Sequence, residues 1–524
     1  MAYVSSIENF KMELNQELLD KAIALEPKLI ETIVKPTQLV SIEKQADETC
    51  ITTNQKPMDA LSSMELSKGD TVCFDFADHQ VGYVTFTVKS VGSPQDAPAF
   101  LHLKFAEMPS EILDNSDEYD GWISRGWIQE EMIHLDTLPT TVTLPRRYAF
   151  RYFEVKVIDA SAKYRIMIEN VECKSVTSAD SKDVKAIENV SPLLKRMDEV
   201  SIRTLQNCMQ LVFEDGPKRD RRLWIGDLRL QALANYETFK NNDLVKRCIY
   251  LFASMLQNEG RVGACLFIEP EYMVDDTYIY DYALFFVPIL LDYYEATNDL
   301  DIVKELWPIC DRQFKIGLER LESNGVLRDS EEWWAFLDWR DGLNKQAGAQ
   351  GALIYSLRRG IKLAQLIGET EKANYYQEQL DYVIESTKAN LWDAKLGLFV
   401  SGTDRQISWA SQVWLVLAEV FDQEQNAKIL DRLFEVNPEF GMVTPYMYHH
   451  LIEALIQSGQ KDKAMECMTA YWGEMLADGA DTFWELYNPN NKKESPYGSS
   501  MVNSYCHAWS CTPTYFIRKY FLNQ

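Results

Sequence analysis

Residues 215–227 bring carboxylates and cations together within one short segment. It reads Asp-Gly-Pro-Lys-Arg-Asp-Arg-Arg-Leu-Trp-Ile-Gly-Asp, so that Asp215, Asp220 and Asp227 lie among four cations and one tryptophan, Trp224. Gly216-Pro217 ends the helical pattern that precedes it, and a new helical pattern begins near Asp227. A charged loop that leads into a helix is where proteins often place catalytic groups, although a solvated turn with surface ion pairs has the same composition.

A second carboxylate lies far downstream, at the end of Asp481-Thr482-Phe483-Trp484-Glu485. Hydrolysis of a glycosidic bond needs one carboxylic acid to protonate the leaving oxygen and a second carboxylate to act as base or nucleophile. Asp220 and Glu485 meet this requirement in outline, because distant parts of a chain can face each other across a sugar. The four cations of the first segment favour an ionised Asp220, so a general acid at this position requires most of them to point elsewhere.

Tryptophans beside acids point to the same chemistry. Eleven of the thirteen tryptophans lie in the C-terminal, helical part of the chain. The segment 331–342, Glu-Glu-Trp-Trp-Ala-Phe-Leu-Asp-Trp-Arg-Asp-Gly, crowds four acids around three of them, Trp333, Trp334 and Trp339. Aromatic faces stack on the apolar faces of sugar rings, and carboxylates accept hydrogen bonds from hydroxyl groups. Packing in the core is the alternative for each of these side chains.

Composition narrows the class of partner. The formal charge of −26, from 53 basic and 79 acidic residues, argues against binding to nucleic acid or to an anionic membrane surface. No apolar run approaches the ~20 residues that cross a bilayer. Residues 1–6 show no basic stretch followed by an apolar one, so we expect the chain as it stands to be cytoplasmic, and periplasmic or secreted if a signal has been removed. Cysteines without paired spacing and histidines without metal-ligand spacing predict neither a metal nor a cofactor.

The pattern along the chain predicts three regions. Residues 1–45 are predicted to be a helical segment, because 7–34 have helical spacing. Short β-rich runs between turns predict a β-sandwich over 46–180, and the helical period that dominates afterwards predicts a helical domain over 190–524. About a dozen helices without a repeat of ~34–45 residues favour a closed toroid over an open solenoid. The predicted helices cover residues 228–240, 242–258, 278–297, 300–321, 347–367, 370–391, 407–420, 424–435, 445–458, 460–477 and 503–520.

These segments resemble glycoside hydrolase family 78, the α-L-rhamnosidases. That family carries the motif Asp-Cys-Pro-x-Arg-Glu-x-x-x-Trp-x-Gly-Asp, and residues 215–227 match it at the same spacing, with Gly216 in place of the cysteine and Asp220 in place of the glutamate. Three further segments match in order, 336–339, 481–485 and 504–510, and the resemblance extends from about residue 65 to the end. Phe150-Arg151-Tyr152-Phe153 also matches a common strand of the family's sandwich.

The resemblance implies an N-terminal β-sandwich followed by an (α/α)6 toroid, a six-hairpin barrel, that hydrolyses terminal α-L-rhamnosides with inversion. Asp220 would be the general acid and Glu485 the general base. The remaining implied substrate-binding residues are Asp215, Trp224, Asp227, Asp338, Trp339, Trp484 and His507. A carbohydrate is the expected partner, with neither nucleic acid nor membrane, and the oligomeric state stays open.

Two other functions remain open at this point. A related toroid enzyme could act on another sugar, or could be a lyase, for which the cations of 218–222 would hold a uronate carboxylate. A non-catalytic carbohydrate-binding relative is the second alternative, and the aspartate at position 220 is its only support.

Overall fold

A computed structural model describes residues 10–45, 50–330 and 334–522. The predictions for residues 1–9, 46–49 and 523–524, and for Glu331, Glu332 and Trp333, lie outside these ranges. The described chain forms an N-terminal β-sandwich followed by a ring of paired helices, which confirms the predicted fold class. No helix among the described residues is long and apolar enough to span a membrane.

The N-terminal region is mixed in structure, so the prediction of a helical segment over residues 1–45 is wrong for most of the part described. Strand β1, Glu13–Leu14, leads into helix α1, Gln16–Ala24. Strands β2, Ile30–Val34, and β3, Gln38–Lys44, follow, and both join the sandwich ahead of residue 46. Their β-branched residues favour a strand conformation. Strand β2 pairs with residues 173–177, and a local sequence pattern cannot predict so distant a contact.

The sandwich is antiparallel, and one long strand belongs to both of its layers. Its further elements are β4 (Cys50–Pro57), β5 (Thr71–Gly92), β6 (Ala99–Ala106), α2 (Pro109–Leu113), β7 (Glu130–Leu135), β8 (Thr140–Thr143), β9 (Tyr148–Asp159) and β10 (Tyr164–Thr177). The first half of β5 pairs with β3 and β9, and its second half pairs with β10 and β8. The register of β5 with β9 shifts between Asp75 and Gln80, where Ala77 has a φ of 68°, so β5 carries a bulge between its two halves.

The helical domain alternates inner and outer helices. They are α3 (Pro192–Cys208), α4 (Ile225–Glu237), α5 (Asn242–Ser254), α6 (Tyr280–Thr297), α7 (Leu300–Leu318), α8 (Gln346–Ile367), α9 (Thr370–Asn390), α10 (Trp409–Leu417), α11 (Gln423–Val436), α12 (Pro445–Gln457), α13 (Lys461–Ala477) and α14 (Pro513–Phe516, continued by a π-helical turn, Ile517–Phe521). The even-numbered helices contact one another in sequence from α4 to α12, and α14 returns to α4. Six hairpins therefore close into a barrel.

The inner helices are apolar on nearly every side, as helices enclosed by others must be. Every residue of α10 is buried, and the buried residues of α4 run without interruption from Ile225 to Asn235. Short strands decorate the connections: β11 (Leu223–Trp224), β12 (Met255–Leu256), β13 (Cys265–Phe267), β14 (Met273–Val274), β15 (Trp392–Asp393) and β16 (Leu398–Phe399). Strand β12 pairs with β1 and so ties the N-terminal region to the barrel.

Ten of the predicted helices are confirmed to within four residues at either end, and the prediction over 503–520 is wrong for its first half. Within 503–512 only Ala508–Ser510 forms a 3-10 turn, and the helix begins at Pro513, where proline suits the first helical position. The backbone ahead of it bonds to other loops instead. His507 N donates to Phe483 O at 2.9 Å, and Ala508 N donates to Asp215 O at 2.7 Å.

The sandwich holds both acid-bearing segments of the barrel through buried polar contacts. Glu111, in α2, forms an ion pair with Lys218, whose side chain is 1% exposed. Burial raises the pKa of Glu111, although the charge of Lys218 opposes the shift. The Glu107 carboxylate accepts a hydrogen bond from Tyr505 N at 2.7 Å. The sandwich is therefore part of the framework of residues 215–227 and 481–507, and not an independent module.

Replacing Lys218 with methionine should destabilise the protein by about 3–5 kcal/mol, because the buried Glu111 carboxylate loses its partner. The shift of the urea denaturation midpoint measures this loss. Lys68 offers a matched control, since its ion pair with Asp159 is 65% and 57% exposed, and Lys68→Met should cost less than about 1 kcal/mol. Equal shifts for the two variants would contradict the role given to the interdomain pair.

Candidate active site

A pocket of about 920 Å³ opens between the barrel and the sandwich. Its barrel side is formed by residues from segments 215–227, 275–282, 334–339 and 485–509. Residues 122–127 of the sandwich complete the wall. The acid-bearing segments that are distant in sequence therefore meet at one end of the helix ring.

Asp220 lies in a tight turn whose backbone is strained. Asp220 and Arg221 have φ angles of 61° and 58°, in the left-handed region that costs a non-glycine residue roughly 1–2 kcal/mol. Hydrogen bonds of Arg221 offset this cost. Its backbone N–H donates to Gly216 O at 3.2 Å, and its guanidinium donates to Pro217 O and to Arg147 O, both at 2.8 Å. Contacts within the turn and with the sandwich thus fix the direction of the Asp220 side chain.

The chain after this turn passes through a short strand into an inner helix. Strand β11 ends at Trp224, and α4 begins at the next residue. A Cβ at Gly226 would lie 2.3 Å from the ring of Tyr282, so a glycine is needed for this ring to pack on the first turn of α4. Asp227, in the same turn, lines the pocket, where its Oδ1 lies 3.0 Å from His507 Nε2.

Asp220 and Glu485 contact the same guanidinium group. Arg219 donates from Nη2 to Glu485 Oε2, and its Nη1 lies 3.4 Å from Asp220 Oδ1. Two carboxylates that contact one guanidinium lie within roughly 9 Å of each other, a range that includes the separation of an inverting pair (~6.5–9.5 Å) and that of a retaining pair (~5–5.5 Å). The other oxygen of Glu485, Oε1, accepts a hydrogen bond from the Tyr497 hydroxyl.

Two of the four cations beside Asp220 in sequence are engaged elsewhere. Lys218 pairs with Glu111, and Arg221 donates to two backbone carbonyls. The Arg222 guanidinium lies over the ring of Phe267, 4.4 Å from its centroid. Only Arg219 of the four is within ion-pair distance of Asp220, and it also forms an ion pair with Glu485. Lys218 and Arg221 therefore face other partners, whereas Arg219 and Arg222 remain close enough to interact with the charge of Asp220.

The buried acids of the pocket differ in their electrostatic environment. Burial favours the protonated form of Glu485, but Arg219, His507 and Tyr497 outweigh it and lower the pKa of this carboxyl below its usual value. Burial raises the pKa of Asp215 well above its usual value, with a further contribution from the neighbouring carboxylates. Burial also raises the pKa of Asp227, although His507 opposes the shift. Glu485 is thus the buried carboxylate of the site that is held in its ionised form.

Two known domain families account for most of the chain. Residues 36–175 match the glycosyl hydrolase family 78 alpha-rhamnosidase N-terminal domain, and residues 182–521 match the bacterial alpha-L-rhamnosidase 6 hairpin glycosidase domain. This chain belongs to glycosyl hydrolase family 78. Its structure resembles that of a rhamnosidase from Klebsiella oxytoca with rhamnose bound, with 46% sequence identity and a TM-score of 0.95 over 97% of this chain and 99% of that one.

Longer rhamnosidases share the fold at lower identity. The rhamnosidase of Bacillus sp. GL1 is 22% identical with a TM-score of 0.71, over 86% of this chain and 46% of that one. The α-L-rhamnosidase of Streptomyces avermitilis, complexed with L-rhamnose, is 16% identical with a TM-score of 0.64, over 94% of this chain and 44% of its own. A search among curated proteins finds no match.

Most of the predicted site residues line the family 78 pocket. Those that do so are Asp215, Asp220, Trp224, Asp227, Trp339, Glu485 and His507. Trp224 Nε1, Trp339 Nε1 and His507 Nδ1 are buried polar atoms without a hydrogen-bond partner among the described residues.

Asp338, which is predicted to bind substrate, is not among the residues that line the pocket. Its carboxylate accepts hydrogen bonds from Thr444 Oγ1 at 2.7 Å and from Val443 N at 2.9 Å. Burial raises its pKa to about 6. Asp338 thus ties the loop that carries Trp339 to the start of α12, and its role is to support its neighbour.

Trp484 is also placed behind the pocket rather than in its wall. Its ring packs edge-on against Tyr487 and Tyr505, at centroid distances of 5.5 and 5.2 Å, and the residue is 4% exposed. The alternation of residues along 483–485 turns Glu485 toward the pocket and Trp484 into the core. The core alternative that applied to every tryptophan is correct here.

Several pocket residues carry no signal in the sequence that would single them out. Tyr497 lies in a polar loop without a motif, and Trp122 lies in an acidic loop of the sandwich. Asp275 and Asp276 follow the strand β14, which the sequence does not mark. Each reaches the pocket only because the barrel loops and the sandwich meet there.

The possible metal ligands that cluster among the described residues lie outside this pocket. They are His449, His450 and Glu453, in α12. Burial lowers the pKa of His450 to about 3, so its ring is neutral. Glu453 is ion-paired with Arg229 at 3.1 Å, and that cation opposes the binding of another. The cluster is better explained as a packed polar layer inside the barrel.

Replacing Arg219 with methionine should move the acidic limb of the pH profile of kcat/KM to higher pH. The cation holds the pKa of Glu485 below its usual value, so its removal raises that pKa and protonates the carboxylate at a higher pH than in the parent. Tyr497→Phe should cause a smaller shift in the same direction. Arg432→Met, at an arginine that is 45% exposed on α11, is the control and should leave the limb in place. An unmoved limb in Arg219→Met would contradict the argument.

Proposed function

We propose that this family 78 chain is an α-L-rhamnosidase that hydrolyses terminal α-L-rhamnosides with inversion of configuration. The observation that carries the proposal is the bridge from Arg219 to both Asp220 and Glu485 in the pocket wall. The close likeness to a rhamnosidase with rhamnose bound supports the choice of sugar. An acid and a base that face one pocket are the minimum that glycoside hydrolysis requires.

In the proposed reaction Asp220 donates its proton to the glycosidic oxygen as the bond from that oxygen to C1 breaks. Glu485 accepts a proton from a water molecule, whose oxygen forms the new bond to C1 from the opposite face of the ring. The leaving group departs as a neutral alcohol, and the sugar is released as the β anomer. Asp220 ends ionised and Glu485 protonated, so a proton exchange with solvent returns the enzyme to its starting state.

The environment of Glu485 suits a general base. Both of its oxygens are held, one by Arg219 and one by Tyr497, so the carboxylate has a single orientation. Its lowered pKa keeps it ionised before the water is activated. Asp220 differs because its side chain is 21% exposed, so it can exchange a proton with solvent after each turnover.

The remaining acids are placed to hold the sugar. Asp227 and His507 lie 3.0 Å apart at the buried end of the pocket, and Asp215 lies beside them. Asp215 Oδ1 accepts a hydrogen bond from Arg222 N at 3.0 Å, which leaves its second oxygen for a ligand. Trp339 supplies an aromatic face. Carboxylates and an aromatic face together suit a ring with several hydroxyl groups and one apolar side.

The lyase alternative keeps only part of the observation that supported it. Cations around a uronate carboxylate are its requirement, but Lys218 is paired with the sandwich and Arg221 with backbone carbonyls. Arg219 and Arg222 line the pocket, where Arg219 is paired with Glu485. The non-catalytic alternative rested on the aspartate at position 220. Its carboxylate lines the pocket within reach of the same guanidinium as Glu485.

Asp220→Asn and Glu485→Gln should each lower kcat/KM for α-L-rhamnosides by about 10²–10⁴-fold. Asp220→Asn should lose less on a 2,4-dinitrophenyl rhamnoside, whose leaving group needs no proton, than on an alkyl rhamnoside. Glu485→Gln should lose equally on both, since it acts on water. Asp301→Asn, at an aspartate that is 95% exposed, is the control and should keep full activity.

The stereochemical course is measured by following the anomeric protons of the first product by NMR. The β anomer should appear first and then mutarotate. First formation of the α anomer would contradict inversion, and full activity in either acid variant would contradict its assigned role.

A further inference from the structure

A continuous strip of aromatic rings runs across the pocket from the barrel to the sandwich. Trp334 lies 6.4 Å from Trp339, and Trp339 lies 6.1 Å from Tyr497, between ring centroids. Tyr497 lies 5.7 Å from Trp122, which belongs to the sandwich. All four residues line the pocket. The strip is longer than one sugar ring, so it offers contact area beyond the sugar that is cleaved.

The depth of the two proposed catalytic groups indicates where the leaving group lies. The Glu485 side chain is 5% exposed, and Asp220 is 21% exposed. The sugar-holding groups Asp215 and Asp227 lie at the buried end with Glu485. Because Asp220 would protonate the leaving oxygen, the leaving group extends from its side of the pocket toward the mouth, where the sandwich wall stands.

Trp122 is held in place although it is 52% exposed. Its indole N–H donates to Pro496 O at 2.9 Å, and its backbone N–H donates to Tyr497 O at 3.0 Å. Both bonds cross from the sandwich to the barrel, so the ring keeps a fixed position at the mouth. A large aromatic side chain that is half exposed and fixed beside a pocket is typical of a binding surface.

The mouth is also acidic. Asp275 and Asp276 line the pocket there, beside Asp220. Arg222 also lines the pocket, where it interacts with the charges of Asp220 and Asp275 and lies over the ring of Phe267. Acidic residues repel an anionic ligand at short range. Because the mouth has more acids than cations, it disfavours a leaving group that carries a negative charge.

We propose that the sandwich residues Trp122 and Trp127, together with the aromatic strip of the barrel, form a leaving-group subsite for neutral aglycones that present a flat apolar face. An aromatic ring and a neutral sugar both present a flat apolar face of this kind. The negative charges of Asp275 and Asp276 exclude a uronate. This inference rests on the proposed rhamnosidase function and adds to it which leaving groups the chain accepts. The sandwich thereby contributes a specificity-determining residue as well as support.

The test compares Trp122→Ala with the parent on three neutral substrates: methyl α-L-rhamnoside, 2-naphthyl α-L-rhamnoside and a rhamnosyl-glucoside. The substitution should lower kcat/KM roughly tenfold on the substrate whose leaving group stacks, chiefly through KM, and less than about twofold on the methyl glycoside. A loss on the naphthyl glycoside alone identifies an aromatic aglycone, and a loss on both larger substrates identifies either flat face. Met132→Ala, at a sandwich residue that is 60% exposed outside the pocket, is the matched control and should change none of the three values.

The repulsion of a uronate by Asp275 and Asp276 is tested separately with a rhamnosyl-glucuronide. Asp275→Asn/Asp276→Asn should raise kcat/KM on this substrate several-fold relative to the rhamnosyl-glucoside at low ionic strength, and added salt should reduce the difference. An equal effect of Trp122→Ala on all neutral substrates, or none on any, would overturn the subsite. A parent enzyme that turns over none of the rhamnosides, the methyl glycoside included, would instead overturn the proposed function on which the subsite rests.

Discussion

Arg219 is the buried cation around which the acid/base pair is arranged. Its guanidinium donates to Glu485 and to the carbonyl of Val502, lies against Asp220, and stacks on the ring of Tyr497 at 4.1 Å. A guanidinium buried this deeply needs compensating charge, and the ionised carboxylate of Glu485 supplies it, while the carboxyl group of Asp220 lies beside Nη1 of the same group. Because both contact one rigid plane, their separation depends little on the flexibility of their own side chains. The same cation keeps Glu485 ionised, so both the position and the charge of this carboxylate depend on its contact with Arg219.

The sandwich completes the site by holding the segment that carries this cation. Asp220 and Arg221 occupy left-handed backbone conformations, and the guanidinium of Arg221 spans from Pro217 O to Arg147 O in the sandwich. The buried ion pair with Glu111 keeps the positive charge of Lys218 out of the pocket, and it also joins the barrel to the sandwich. The strained turn is therefore stabilised from outside the barrel, which accounts for a β-domain packed directly against a catalytic helix ring.

The pocket changes in character from its buried end to its mouth. At the buried end, Asp215, Asp227 and His507 offer polar atoms to a ring of hydroxyl groups. At the mouth, aromatic rings and acids from both domains replace them. The residues behind the wall determine its shape without touching a ligand: Asp338 fixes the loop of Trp339, and Trp484 fills the core beneath Glu485. A change at either position would act through its neighbour.

The sequence by itself determined the fold class, the alternation of helices and the acid-bearing segments, because helical period, strand composition and short motifs are local properties. It singled out Asp220 and Glu485, which both line one pocket, but it did not predict that Asp338 and Trp484 lie behind the wall, since a motif does not say which side of a chain faces the cavity. Strands β2 and β3 and the loop 503–512 were missed because their partners are distant in the chain. Only the tertiary structure turned Lys218 and Arg221 toward other partners. It also brought Trp122 to the mouth and Tyr497 against Glu485, because those positions depend on how the two domains pack.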